Sequence, residues 1–185
     1  MIESRVEKHL IKRNHPYYSM LDNFCFMSKN LYNHANYIVR NEFCKSGQWI
    51  KYGELDKLLK NDIEYPDYKA MPTAQSAQQT LRLLDKNWKS FFASIKDWSK
   101  NKDKYLGRPK LPKYKSKNGR TILILTNQNV KLKSDNLLHF PKSFNGLIIK
   151  PQFVDRDNFV SFQQIRFIPH KNHIVVELVY NIEIP

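Results

Sequence analysis

Between Lys100 and Arg120 the chain carries Lys100, Lys102, Lys104, Arg108, Lys110, Lys113, Lys115, Lys117 and Arg120, with Tyr105 and Tyr114 set among them. Cations at that density contact phosphates, and the rings offer faces on which bases can stack. This is the chemistry of an extended nucleic-acid-binding segment. Pro109 and Pro112 keep the stretch from becoming helical. It is therefore expected to be a basic arm rather than a charged helix. Its plain alternative is a flexible basic linker.

The whole chain has the same bias. Its 185 residues hold Lys+Arg 31 against Asp+Glu 17, a formal net charge of +14. Such a balance attracts polyanions and makes nucleic acid the first partner to consider. Hydrophobic residues make up 41%, enough for a packed core. No apolar run is long enough to span a bilayer. The N-terminal MIESRVEKHLIKR lacks the apolar centre of a signal peptide, so a cytoplasmic location is expected, associated with the nucleoid when DNA is bound. Cys25 and Cys44 lie too far apart along one expected helix to bridge, and no zinc spacing occurs.

Catalytic arrangements are missing. His170 and His173 are close but lack a third ligand nearby, Asp155 and Asp157 lie in the turn-like VDRDN, and no Gly-rich phosphate loop or Ser/His/Asp signature is present. No catalytic residue, metal or cofactor is assigned.

The elements that must hold the arm follow from periodicity. Residues from about Val6 to Arg13 read as a short strand. Leu21, Phe24, Cys25, Leu31, Tyr32, Ala35, Val39 and Phe43 recur at helical steps from Tyr17 to Phe43, with His15-Pro16 at the start and Gly47 at the end. A shorter helix runs from about Tyr52 to Lys60. The cleanest helix follows Thr73, a plausible N-cap after Pro72. Its seam is Ala77, Leu81, Leu84, Trp88, Phe91, Ile95 and Trp98, while Gln75, Gln78, Arg82, Lys86, Lys89 and Lys96 fall off the seam and can face a partner. From Arg120 onward the period changes to two. TILILTN, NVKLKSD, NLLHFP, LIIKP, FQQIRFI and IVVELVYNIEI read as short strands. Ile165 and Phe167 precede the last turn, and Ile174, Val176, Leu178 and Tyr180 follow it on one face. The expectation is an α+β fold: a small antiparallel β-barrel formed by residues 1–13 and 118–185, with a helical bundle, residues 14–117, inserted after the first strand.

LDKNWKSFF, GRPKLPKYK, TNQNV, YNHANYIVRNEF and KYGEL together resemble the N-terminal half of TnpB proteins, the OrfB-type proteins of insertion sequences related to type V CRISPR effectors. The resemblance runs in order over essentially the whole chain. It implies a wedge barrel carrying a helical recognition insertion, which together hold a guide RNA and read a short motif in duplex DNA. By position, it implies that Tyr52, Gln78, Thr126 and Asn127 contact that motif. Gln and Asn can pair with adenine through two hydrogen bonds. Ala74 and Asp56 depart from the family's pattern, so the motif read would differ. RNA would be gripped through shape and phosphates, with Arg82, Lys86, Lys89, Arg108, Lys110, Lys113 and Lys115 as candidates.

The family's RuvC carboxylates and zinc-ribbon cysteines have no counterpart up to Pro185. Two-metal cleavage needs such acids, so this polypeptide is expected not to cut DNA alone. Natural truncation, an excised fragment and one half of a split protein all fit. The functional expectation is a binding module. The alternatives are a subunit completed by a separate RuvC-bearing chain, and a DNA-binding repressor.

Overall fold

A computed structural model describes residues 1–185. The chain opens on strand β1 (Ile2–Lys12) and continues through helices α1 (Tyr18–Ser46), α2 (Tyr52–Lys60), α3 (Asp67–Ala70) and α4 (Ala74–Lys100). Strands β2 (Leu123–Thr126), β3 (Lys131–Leu132), β4 (Leu138–His139), β5 (Ile148–Ile149), β6 (Phe159–Pro169) and β7 (His173–Glu183) follow. The fold is α+β with antiparallel sheets, and the helices are inserted after the first strand.

Local chemistry sets the helix ends. Thr73 Oγ1 accepts from the Ser76 N–H at 3.0 Å while Ser76 Oγ accepts from the Thr73 N–H at 3.2 Å, a reciprocal capping box that starts α4. Gly47 ends α1 at φ 73, and its N–H bonds the Phe43 carbonyl at 2.9 Å. A side chain there would sit in the left-handed region that L-residues avoid.

One core joins helices to sheet. Leu21, Leu31, Ala35 and Val39 of α1 are buried with Ala77, Leu81, Leu84 and Trp88 of α4. The sheet contributes Leu123, Leu125, Ile165, Phe167, Ile174, Val176, Leu178 and Tyr180 to the same cluster. The expected inward face of the last hairpin is thus observed residue by residue. The α4 seam sinks only as far as Trp88. Phe91, Ile95 and Trp98 are half-buried, because this part of the helix extends past the sheet and meets the arm instead. Ser28 ties α1 to α4 and to the residue before β2: its hydroxyl bonds the Ile122 carbonyl at 2.8 Å and Thr80 Oγ1 at 2.9 Å.

The strands do not close into a barrel. They form a four-stranded sheet in the order β1-β7-β6-β2 and a separate three-stranded sheet, β3-β4-β5. β3, β4 and β5 are 2 residues each, too short for a ladder that would carry pairing from β2 round to β1. A single side chain bridges part of that gap. The Glu7 carboxylate on β1 accepts from the backbone N–H of Gln152 and of Phe153, each at 2.9 Å. β1 itself begins earlier than the apolar pattern suggested and pairs with β7 along its full length, from Ile2↔Glu183 to Lys12↔His173.

Both cysteines are free thiols. Cys25 is buried, and burial, with the nearby Asp22 charge, pushes its thiol up to about 12. Cys44 is exposed. Thiolate is the reactive form, so a thiol reagent at neutral pH is expected to label Cys44 alone in the native protein and both residues after unfolding. Mass spectrometry of the labelled peptides checks this. Stoichiometric labelling of Cys25 in the folded chain would mean that its helix is not packed against the sheet as described.

Candidate nucleic-acid interface

Two separate faces of α4 carry the polar residues of interest. The first is a cleft of about 380 Å³ between the start of α4 and the end of β2. Its lining of 8 residues contains no hydrophobic side chain: Gln75, Gln78, Gln79 and Arg82 from the helix, Thr126, Asn127 and Gln128 from the strand end, and Gln163 from β6. The helix presents these residues because its apolar seam, including Ala77, Leu81 and Leu84, is turned to the core. The strand end is fixed by its own turn. The Thr126 carbonyl accepts from the N–H of Asn129 and of Val130, and the Asn127 N–H donates to the Gln163 carbonyl at 2.9 Å. Thr73 Oγ1 bonds Asn129 Oδ1 at 3.0 Å and Gln75 Nε2 bonds Gln128 Oε1 at 2.7 Å, so helix start and strand end are locked to each other. Gln75 Oε1 is buried with no donor from the protein.

Tyr52 lies next door. Arg82 stacks its guanidinium 4.1 Å from the centre of the Tyr52 ring and also lines the glutamine cleft, so it joins the two. Burial raises the Tyr52 hydroxyl pKa, the Asp56 charge adds to this and Arg82 opposes it. The phenol is therefore a neutral hydrogen-bonding group at physiological pH. This neighbouring cleft of about 520 Å³ also includes Lys86, Lys89 and Asp85. Asp85 is nearly buried. It accepts from the Tyr52 N–H at 3.1 Å, near the N-terminus of α2, and pairs with Lys89 at 2.7 Å. Its charge suits the positive end of a nine-residue helix.

The four residues assigned to the DNA motif thus converge: Gln78, Thr126 and Asn127 line one cleft, and Tyr52 is joined to it through Arg82. The RNA candidates divide. Arg82, Lys86 and Lys89 share the Tyr52 cleft, on the same side as the motif set, and Lys89 is committed to Asp85. Arg108, Lys110, Lys113 and Lys115 line other clefts, opened by Phe91 and Ser94 of the same helix. Four further cleft residues, Gln75, Gln79, Gln128 and Gln163, were not singled out as motif readers from the sequence. The Gln75, Gln78, Gln79, Arg82 spacing of three and four was the available signal for the first two.

The basic arm is ordered against the helices. It contains no helix or strand from Tyr105 to Ile122, yet its carbonyls are taken up by one stripe of α1. Lys29 Nζ donates to the Lys117 carbonyl, Asn33 Nδ2 to Lys115 at 2.9 Å, Asn36 Nδ2 to Pro112 at 3.0 Å and Arg40 Nη1 to Pro112 at 2.9 Å. Asn33 Oδ1 also accepts from the Lys115 N–H at 2.8 Å, so one side chain reads a whole peptide unit. Arg120 closes the arm with a two-pronged bond to Asp22, at 3.0 Å and 2.9 Å. At the other end, Tyr105 donates to Asp97 at 2.7 Å. That bond, with Asn101, holds the Asp97 carboxyl below its ordinary range. A depressed carboxylate stabilises the fold above its unfolded pKa and loses that contribution as pH falls through the folded one. This latch therefore contributes in full at neutral pH and weakens in acid.

With their backbone tied down, the arm's cations project outward. Arg108, Lys110, Lys113 and Lys115 are all exposed, and Arg108 and Lys102 lie 6.0 Å and 5.3 Å from the Trp98 ring. Asn33→Ala removes both bonds to Lys115. Local opening of the arm should become about tenfold easier, because losing the pair costs on the order of 1–2 kcal/mol. Limited trypsin digestion checks this: cleavage within 110–117 should accelerate with the melting temperature nearly unchanged.

No helix is long and apolar enough to cross a membrane, and no group of three His, Cys, Asp or Glu side chains is placed to hold a metal. His170 and His173 stack on each other at 4.7 Å across the last turn. No protein-family model matches the sequence, and no curated protein matches it significantly.

Proposed function

We propose that this chain is the nucleic-acid-binding, wedge-plus-recognition half of a TnpB-like RNA-guided transposon protein. It binds a guide RNA and a short motif in duplex DNA and supplies no chemistry of its own. The open sheet pair serves as the wedge, and the helices with the arm serve as the recognition part. The observation that carries the reading is the glutamine cleft. Gln78 and the Thr126-Asn127 pair are far apart in sequence, yet they line one rigid polar wall beside Arg82. Amide side chains gathered on one wall are what base edges require. The arm adds a sequence-independent grip through phosphates.

Selection from a random duplex library tests the reading. The wild-type chain is expected to enrich a short motif. Gln78→Ala is expected to lose selectivity at one base position, by about five- to a hundredfold for a two-bond contact, while binding unselected DNA as before. Enrichment of no motif, or of one that Gln78→Ala and Thr126→Ala both leave unchanged, would remove the cleft from recognition.

A further inference from the structure

We propose that the free edge of β1 is the seam of a symmetric dimer, paired antiparallel with β1 of a second copy about an axis through Val6.

The backbone is available. β1 is an 11-residue strand whose only ladder partner is β7. Met1 exchanges both hydrogen bonds with Ile184, N–H to carbonyl at 2.8 Å in each direction. In an antiparallel ladder such pairs alternate. The odd-numbered residues of β1 therefore face β7, and the N–H and C=O groups of Ile2, Ser4, Val6, Lys8 and Leu10 point to the open side. A long unpaired edge with apolar side chains is a template for another strand.

The side chains specify which strand. Ile2, Val6 and Leu10 are 63%, 45% and 52% exposed. They stand on one face and are evenly spaced about Val6. A two-fold axis there sets Ile2 opposite Leu10 of the second copy, Val6 opposite Val6 and Ser4 opposite Lys8. On the other face it sets Arg5, which bonds Glu3 of its own strand at 3.0 Å, opposite Glu7, whose carboxylate the Gln152 and Phe153 amides hold in place, and this pair occurs twice. Directly opposed unlike charges stabilise an antiparallel pair and like charges destabilise it. Shifting the axis by one residue is penalised either way. Centred on Arg5 it opposes Arg5 to Arg5 and Glu3 to Glu7; centred on Glu7 it opposes Glu7 to Glu7. An unrelated strand has no reason to carry this palindrome, and a second copy carries it by construction. β2, the other edge of the sheet, is only 4 residues long and has no such symmetry. One strand pair makes a small interface, so the dimer should be weak and concentration-dependent.

Sedimentation velocity over a concentration series tests this, with protein freed of nucleic acid by nuclease and a high-salt wash and then returned to low salt, so that nucleic acid does not bridge copies and the strand charges are not screened. The wild-type chain should approach twice the monomer mass as concentration rises. Val6→Pro should stay monomeric, because it removes an amide that points away from β7 and proline is tolerated on a strand edge. Its circular dichroism and melting temperature should match wild type. Arg5→Glu sets like charges opposite Glu7 twice and should weaken the dimer about tenfold or more; it carries the test if Val6→Pro misfolds. A wild-type chain that remains monomeric throughout, or a dimer unchanged in a folded Val6→Pro and in Arg5→Glu, would overturn the proposal.

Discussion

Alanine at Arg108, Lys110, Lys113 and Lys115 together is expected to lower nucleic-acid affinity about a hundredfold at moderate salt. It should also reduce the slope of log K against log salt by about 3. Each phosphate contact contributes roughly 0.7 to 0.9 to that slope through counterion release, so four contacts account for both figures. The effect should be alike for every sequence, because exposed cations on an extended segment meet backbone rather than base edges. Stability should be almost untouched. The bonds that pin the arm use its carbonyls and the Lys115 amide, which alanine keeps. Fluorescence anisotropy across a salt series gives both numbers. An unchanged slope would place the phosphates elsewhere on the surface.

Trp88→Ala should destabilise the fold by about 3–5 kcal/mol, the range for truncating a large buried aromatic. Trp88 is fully buried and packs edge-on against Phe43 at 5.4 Å and Phe91 at 5.9 Å. Its Nε1–H donates to Asn36 Oδ1 at 3.1 Å, and the amide of that same Asn36 donates to the Pro112 carbonyl. The substitution therefore does two things. It opens a cavity between α1 and α4, and it frees the side chain that orients the arm. Urea unfolding should show a lower midpoint with the slope preserved, and trypsin should reach the arm sooner. Trp88→Phe separates the two effects: it keeps most of the packing and loses the hydrogen bond, so arm protection should fall more than global stability does.

Much of this was legible in the sequence because it rests on period. The α4 seam as far as Trp88, the Thr73 cap, the α2 bounds and the inward face of β7 follow from spacing that one hydrophobic core imposes. What escaped has no periodic signature. Lys29, Asn33, Asn36 and Arg40 fall on one stripe of α1, but nothing in their types says that they will take up backbone carbonyls rather than water. For that reason a flexible linker and a docked arm look alike in one dimension. The barrel expectation exceeded what strands of 2 residues can support. At the site, helical spacing exposed Gln78 and Arg82, whereas the approach of Thr126, Asn127 and Gln163 depends on how β2 and β6 meet α4 and is set by the packed core alone.

The most direct measurement is sequencing of the RNA that stays with the protein through purification at moderate salt. One discrete species, retained by the wild-type chain and lost with the four arm cations, is the expected result. RNA that merely mirrors the cellular pool, or no RNA at all, would contradict the proposal that the chain grips a guide.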